Sequence, residues 1–96
     1  MKLSLAPTAL AFCTCLLLAA CSGRIATPAG QECAEGLRAA NQELEDAKVK
    51  GFGGSIQWIK AAGLLTDASV HQQLERFPSC SDKVQRARIY IKEAQK

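Results

Sequence analysis

The chain has 96 residues and a formal net charge of +3 at pH 7, and this length excludes two domains of the usual size of roughly 100–150 residues. The charge excess is too small to indicate a nucleic-acid partner, so we expect none. Residues 32–46 carry five acids against one base, whereas residues 83–96 carry five bases against one acid. We expect two solvated helix faces that attract each other; a basic surface for anionic lipids or an acidic partner is the alternative.

Residues 1–20 have the layout of a secretion signal. A short positive start precedes Leu3–Leu18, a run without any charged residue. This run is shorter than the roughly 20 residues that a permanent membrane-spanning helix needs. Pro7 also opposes a stable spanning helix. We therefore expect the signal to be cleaved.

The signal ends in Leu18-Ala19-Ala20-Cys21, which resembles the lipobox of bacterial lipoproteins at all four positions. The resemblance implies cleavage between Ala20 and Cys21, a diacylglycerol on the Cys21 thiol and, in Gram-negative bacteria, an acyl chain such as palmitate on the new amine. Two or three acyl chains anchor a protein stably where one does not. Ser22 in place of Asp implies, by the Gram-negative sorting rule, the periplasmic face of the outer membrane. The alternative to a lipoprotein signal is an ordinary cleaved signal peptide in which Cys21 is incidental.

The remaining cysteines indicate one disulfide. Cys13 and Cys15 lie in the signal and Cys21 is the lipid site, so the exported body keeps Cys33 and Cys80. Two cysteines in an exported domain permit one intramolecular pairing, and we expect a Cys33–Cys80 disulfide. Closing a loop of about 48 residues stabilises a fold by roughly 4 kcal/mol in the chain-entropy picture.

The sequence offers little for other chemistry. A nucleophilic thiol needs an activating neighbour, and the single histidine, His71, has no evident placement near either cysteine. Cys33, His71 and Cys80 are too few for a zinc site and match no zinc spacing. No paired carboxylates, phosphate loop or hydrolase motif is present. We expect no enzyme, no catalytic residue, no metal and no cofactor, with His71 as a partly exposed helix residue.

Residues 21–30 are expected to form the lipidated terminus and a tether, and residues 31–96 a helical domain. The first helix is predicted over Ala29–Lys50, with Gly51 ending it. Its apolar positions follow an a/d stripe: Cys33, Leu37, Ala40, Leu44 and Ala47. The stripe consists largely of small residues, so this helix must approach its neighbour closely.

The second helix is predicted from the N-cap Ser55 to Phe77, before Pro78. Its two apolar sectors indicate the middle helix of a bundle, packed on both sides. Gly63 indicates either a close crossing or a kink. The first sector comprises Trp58, Ala61, Ala62, Leu65 and Ala68, and the second comprises Ile59, Gly63, Val70, Leu74 and Phe77. Phe52, in the preceding turn, is expected to fold onto the core.

The third helix is predicted over Ser81–Ala94, after a turn at 78–81 in which Ser79 or Ser81 serves as the cap. Its buried stripe is Val84, Ala87, Ile91 and Ala94, with Tyr90 at the edge. Short links predict an all-α, three-helix, up-down-up bundle. Helices one and three then run parallel, so both body cysteines lie at the same end, where they can pair.

The stretch from Cys33 to Gln95 resembles a group of small, cysteine-paired lipoproteins of pseudomonads and their relatives. The resemblance implies fold and location but no active site, because the group has no established activity. It rests on Gly51-Phe52, Trp58, the run Lys60 to Leu65, the run Phe77 to Cys80, Lys83, the run Arg86 to Arg88, and Tyr90-Ile91. Phe77-Pro78 followed by Ala87 also resembles tetratricopeptide-type hairpins, although the signature positions are not in register.

These observations predict a non-catalytic lipoprotein held to the membrane by its N-terminal lipid. Its expected role is that of a protein-interaction or envelope structural module with an envelope protein as partner. The alternative is a binder of an anionic envelope ligand, lipid head groups or peptidoglycan, through the basic third helix. The residues give no oligomeric state.

Overall fold

A computed structural model describes residues 27–96, and within that range the chain is helical without strands. Helix α1 spans Pro28–Ala47, α2 spans Ile56–Gln73 and α3 spans Phe77–Ala94. A π-helical turn, Lys48–Phe52, follows α1. The predicted all-α three-helix bundle is confirmed. The signal, its Ala20–Cys21 cleavage site and the tether as far as residue 26 lie outside the described residues.

Helix α1 begins where Thr27 and Pro28 favour a helix start. The Thr27 hydroxyl accepts a hydrogen bond from the backbone N–H of Gly30 at 3.1 Å, and proline is well tolerated in a first turn because its missing N–H has no partner to lose there. Residues 28–30, predicted as tether, therefore belong to α1.

The first hairpin follows the predicted stop and start residues. Gly51 has φ 98°, a conformation that glycine adopts without steric cost. The Ser55 hydroxyl then accepts from the backbone N–H of Trp58 at 3.2 Å and caps α2. The α-helical part of α1 stops at Ala47, before the predicted Lys50, because the next five residues wind as the π-helical turn. Phe52 is half-buried against the core, as predicted.

Helix α2 ends four residues before its predicted end at Phe77. Glu75 adopts a left-handed conformation with φ 59°, which cannot continue a right-handed helix. The backbone N–H of Arg76 donates to the His71 carbonyl at 2.8 Å, a hydrogen bond typical of a Schellman cap. The local sequence lacks the glycine that usually marks this conformation.

Helix α3 begins at Phe77 rather than at Ser81, so the predicted turn at 78–81 is wrong. Pro78 lies in the first turn, where its fixed φ fits a helix, instead of separating two helices. The N-cap is Arg76, without a side-chain hydrogen bond. Ser79 and Ser81 are consequently helix residues and not caps.

The disulfide joins two parallel helices. The Sγ atoms of Cys33 and Cys80 are 1.99 Å apart and their Cα atoms 5.6 Å. Further along both helices, Arg88 pairs with Glu43 at 2.6 Å. Because the partner numbers rise together on α1 and α3, these helices run in the same direction. The predicted pairing, topology and common end of the two cysteines are confirmed.

The middle helix is α3, not α2. Helix α3 packs most extensively on α2 and also on α1, whereas α1 and α2 contact each other less. The expectation that α2 is packed on both sides is therefore wrong, since most of its second apolar sector is exposed. The core consists of these buried residues: Cys33, Leu37, Ala40, Ala47, Ala61, Leu65, Ala68, Cys80, Val84, Ala87 and Ile91.

The small residues of α1 permit the close approach that its stripe predicts. A Cβ atom on Gly36 would lie only 3.1 Å from Cγ1 of Val84 on α3. At the other end of α1, the indole Nε1 of Trp58 donates to the Leu44 carbonyl at 3.0 Å.

A Cβ on Gly63, in contrast, would meet no atom within 4 Å. Helix α2 is continuous through Gly63, so neither the close crossing nor the kink predicted there occurs within the bundle.

Reduction of the disulfide should lower the free energy of unfolding by about 4 kcal/mol, because the bond closes a sequence separation of 47 residues. Thermal melts followed by circular dichroism, with and without reductant, measure the loss. The double variant Cys33→Ala/Cys80→Ala serves as the control and should not respond to reductant. A loss below roughly 1 kcal/mol would contradict the role that we assign to this bond.

Gly63→Ala should raise the free energy of unfolding by about 1 kcal/mol, since alanine favours the helix and its methyl group meets open space. Gly36→Ala should gain less or destabilise, because Val84 has to shift. Chemical denaturation of both variants at low protein concentration provides the comparison. Equal gains at the two glycines would show that the α1–α3 contact is not close.

Candidate interaction surface

The outward side of α2 carries a row of large apolar side chains. Ile56, Ile59, Val70 and Leu74 expose 71%, 57%, 49% and 57% of their surface. At 100° per residue, all four lie within about 60° of one another around the helix. We call this row, together with Gly63 and Thr66 between its halves, the α2 outer face. It points away from the core, because Ala61, Leu65 and Ala68 on the opposite side of α2 are buried.

The four aliphatic residues form two pairs on one side of a single helix, with Gly63 and Thr66 between the pairs. Single exposed aliphatic residues are common and need no explanation, whereas contiguous apolar surface marks interaction sites. The sequence places Ile59, Val70 and Leu74 in a sector predicted to be core. The structure assigns that sector to the surface, where nothing in residues 27–96 covers it.

Beside this row, α2 and α3 enclose an open groove of about 450 Å³. The Lys60 ammonium lies 5.6 Å from the centre of the Tyr90 ring, close enough for a cation–π interaction. Gly63 opens the groove, since it has no side chain to fill it. The lining residues are Lys60, Gly63, Leu64, Asp67, Arg86 and Tyr90.

Two of the four bases of α3, and Lys96 just beyond it, have acidic neighbours. Lys83 approaches Asp67 at 3.8 Å, and Lys96 pairs with Glu93 at 2.9 Å. Arg88 donates from Nε and Nη2 to both carboxylate oxygens of Glu43. These hydrogen bonds and the carboxylate charge raise the pKa of Arg88 above its ordinary value. The predicted attraction between acids of α1 and bases of α3 is confirmed at this pair.

Arg86 differs from Lys83 and Arg88 on α3. It is exposed and has no ion-pair partner among residues 27–96. Together with Lys60, it leaves two cations without a carboxylate partner at the groove, while Asp67, which Lys83 approaches at 3.8 Å, keeps 65% of its side chain exposed. The sequence indicates a basic α3, but the choice of which bases remain unpaired depends on packing between helices.

The two cysteines considered for nucleophilic or zinc chemistry are bonded to each other. Cys33 and Cys80 share a disulfide and lie fully buried, so neither is a free thiol. His71 is half-buried, and its Nδ1 has no hydrogen-bond partner. Within the described part of the chain, no three His, Cys, Asp or Glu side chains cluster as a metal site would require. Among these helices, none is both long and apolar enough to cross a bilayer.

Comparison of the chain with protein-family models, curated proteins and solved structures returns no significant match.

Proposed function

We propose that this chain is the precursor of a non-catalytic lipoprotein of the bacterial envelope, whose helical body binds a protein partner through the α2 outer face. The observation that carries the proposal is the exposure of Ile56, Ile59, Val70 and Leu74 on one side of a single helix. Four aligned aliphatic side chains match the way an amphipathic helix presents anchors to a partner. Burying them against a partner would recover the hydrophobic free energy that the bundle leaves unused.

The anchor is proposed from the N-terminal residues. An uncharged run from Leu3 to Leu18 followed by Leu-Ala-Ala-Cys supports cleavage before Cys21 and lipidation of its thiol. The body begins at Pro28, so seven residues, 21–27, connect the lipid to the bundle and span roughly 20 Å when extended. An outer-membrane anchor would place the bundle in the periplasm, an oxidising compartment that suits its disulfide.

A second candidate function is binding of an anionic envelope ligand, either lipid head groups or peptidoglycan. The unpaired Lys60 and Arg86 beside Tyr90 favour it. The bases Lys83 and Arg88 contribute less to such binding, because a nearby carboxylate already offsets part of their positive charge. We rank this function below protein binding, since two exposed cations hold a ligand weakly.

Protein binding is testable by placing the photo-crosslinking residue p-benzoylphenylalanine at Ile59 in the full chain produced in a bacterial envelope. We expect a covalent protein adduct on irradiation. Adding Val70→Lys should remove it, because a charge then enters the apolar contact, while the fold tolerates lysine at this half-exposed position. Val49, which is 79% exposed at the hairpin end, is the matched control and should give no such adduct.

Equal adducts at positions 49 and 59, or none at 59, would contradict docking on the α2 outer face. An adduct at 59 to lipid or peptidoglycan in place of protein would favour the second candidate function.

Cys21→Ser should abolish lipidation and leave the chain unprocessed or released from the membrane, because serine offers no thiol for the acyl group. Detergent phase partitioning and intact-mass analysis measure this. The matched substitution Ser22→Ala should leave the anchor unchanged. Unaltered partitioning of Cys21→Ser would contradict the proposed anchor.

A further inference from the structure

We infer that the α2 outer face binds a second copy of this chain, with the two α2 helices packed antiparallel. This inference rests on the proposed docking function and names its partner. The order of side chains along α2 is nearly symmetric. From one end to the other, the face presents two large residues, two small ones and two large ones: Ile56, Ile59, Gly63, Thr66, Val70 and Leu74.

This order is close to its own reverse about a centre between Leu64 and Leu65. In an antiparallel pair centred there, Ile59 of one copy faces Val70 of the other, and Ile56 comes within one residue of facing Leu74. The small residues then meet in the middle, where Gly63 lies opposite Thr66. A two-fold interface requires a surface that is complementary to itself, and this face meets that requirement in side-chain size.

The centre of the face permits close approach without losing hydrogen bonds. A Cβ atom on Gly63 would meet nothing within 4 Å, so the space above this glycine is open to a second helix. The Thr66 hydroxyl donates to the Ala62 carbonyl at 3.1 Å. Because the hydroxyl of Thr66 already donates a hydrogen bond within α2, its burial in a dimer would leave no unsatisfied donor.

Charge favours the antiparallel arrangement over the parallel one. Lys60 and Asp67 lie along the same edge of the outer face, seven residues apart. Antiparallel packing brings Lys60 of one copy near Asp67 of the other, twice by symmetry. In a parallel two-fold pair the same edge of the two copies lies on opposite sides of the contact, so neither of these opposite-charge contacts forms.

The contact is small. An 18-residue helix is about 27 Å long, and one pair of such helices buries less than the roughly 800 Å² per partner of a stable interface. We therefore expect a weak dimer in dilute solution. Anchoring both copies in one membrane by the proposed lipid raises their effective concentration and orients them, which favours association.

Cysteine crosslinking of the full chain in its membrane tests this inference. Gly63→Cys places a thiol near the two-fold axis, and the fold accepts the side chain because nothing obstructs it. Mild oxidation should convert at least several times more of this variant to a covalent dimer than of Glu35→Cys, an exposed site on α1. Adding Val70→Lys should reduce the yield about tenfold.

Two single variants determine the orientation. Ile59→Cys alone should remain monomeric, since the two positions lie roughly 16 Å apart along antiparallel helices. A mixture of Ile59→Cys and Val70→Cys chains should crosslink to each other. Efficient crosslinking of Ile59→Cys to itself would overturn the antiparallel pair.

Equal yields for Gly63→Cys and Glu35→Cys would overturn the dimer. If position 59 still gave a photo-adduct to a different protein, the docking function would stand with another partner. Without any adduct at position 59, the docking function and the dimer would both fail.

Discussion

The Cys33–Cys80 disulfide holds α1 in parallel register against α3, and the rest of the bundle depends on it. The α1 side of that contact is built mainly from alanine, glycine and cysteine, with Leu37 as its one large buried side chain. Small side chains let the helices approach closely but bury little apolar area, and a domain of this size has a marginal core. A covalent bond that closes 47 residues compensates by restricting the unfolded chain.

Helix α3 is the middle helix, in contact with both α1 and α2, and α2 packs along only one side. Its buried side, Ala61, Leu65 and Ala68, meets α3 and part of α1. The opposite side, with Ile59 and Val70, has no helix of residues 27–96 to cover it. The same packing that leaves this face open also places Tyr90 beneath Lys60 and forms the adjacent groove. The proposed function is thus a consequence of how a three-helix bundle distributes its apolar surface.

Much of this arrangement was predictable from local residues. Gly51 and Ser55 act through their own backbone conformation and hydrogen bonding, so their roles as stop and cap follow from residue type. The disulfide followed from cysteine number and from the topology of three short-linked helices. The boundary between α2 and α3 was predicted wrongly for two reasons. Glutamate rarely adopts the left-handed conformation that Glu75 has here. Pro78 is compatible both with the first turn of a helix and with the end of one.

The candidate site was only half predictable, for a different physical reason. The second apolar sector of α2 has the same sequence pattern whether it packs inside the fold or lies on the surface. Periodicity alone therefore predicted that Ile59 and Val70 belong to the core. The pairing of Arg88 with Glu43 and the lack of a partner for Arg86 depend on the register between helices. That register is a property of the packed bundle and not of any local motif.

The central claim is that the outer side of α2 is a contact surface in the envelope. Hydroxyl-radical footprinting tests it most directly, because it labels aliphatic side chains in proportion to their exposure without altering the sequence. The full chain in its own membrane should show reduced labelling at Ile59, Val70 and Leu74 relative to the dilute purified protein, while Val49 at the hairpin is labelled equally in both. Equal labelling of all four residues in the two states would contradict the claim.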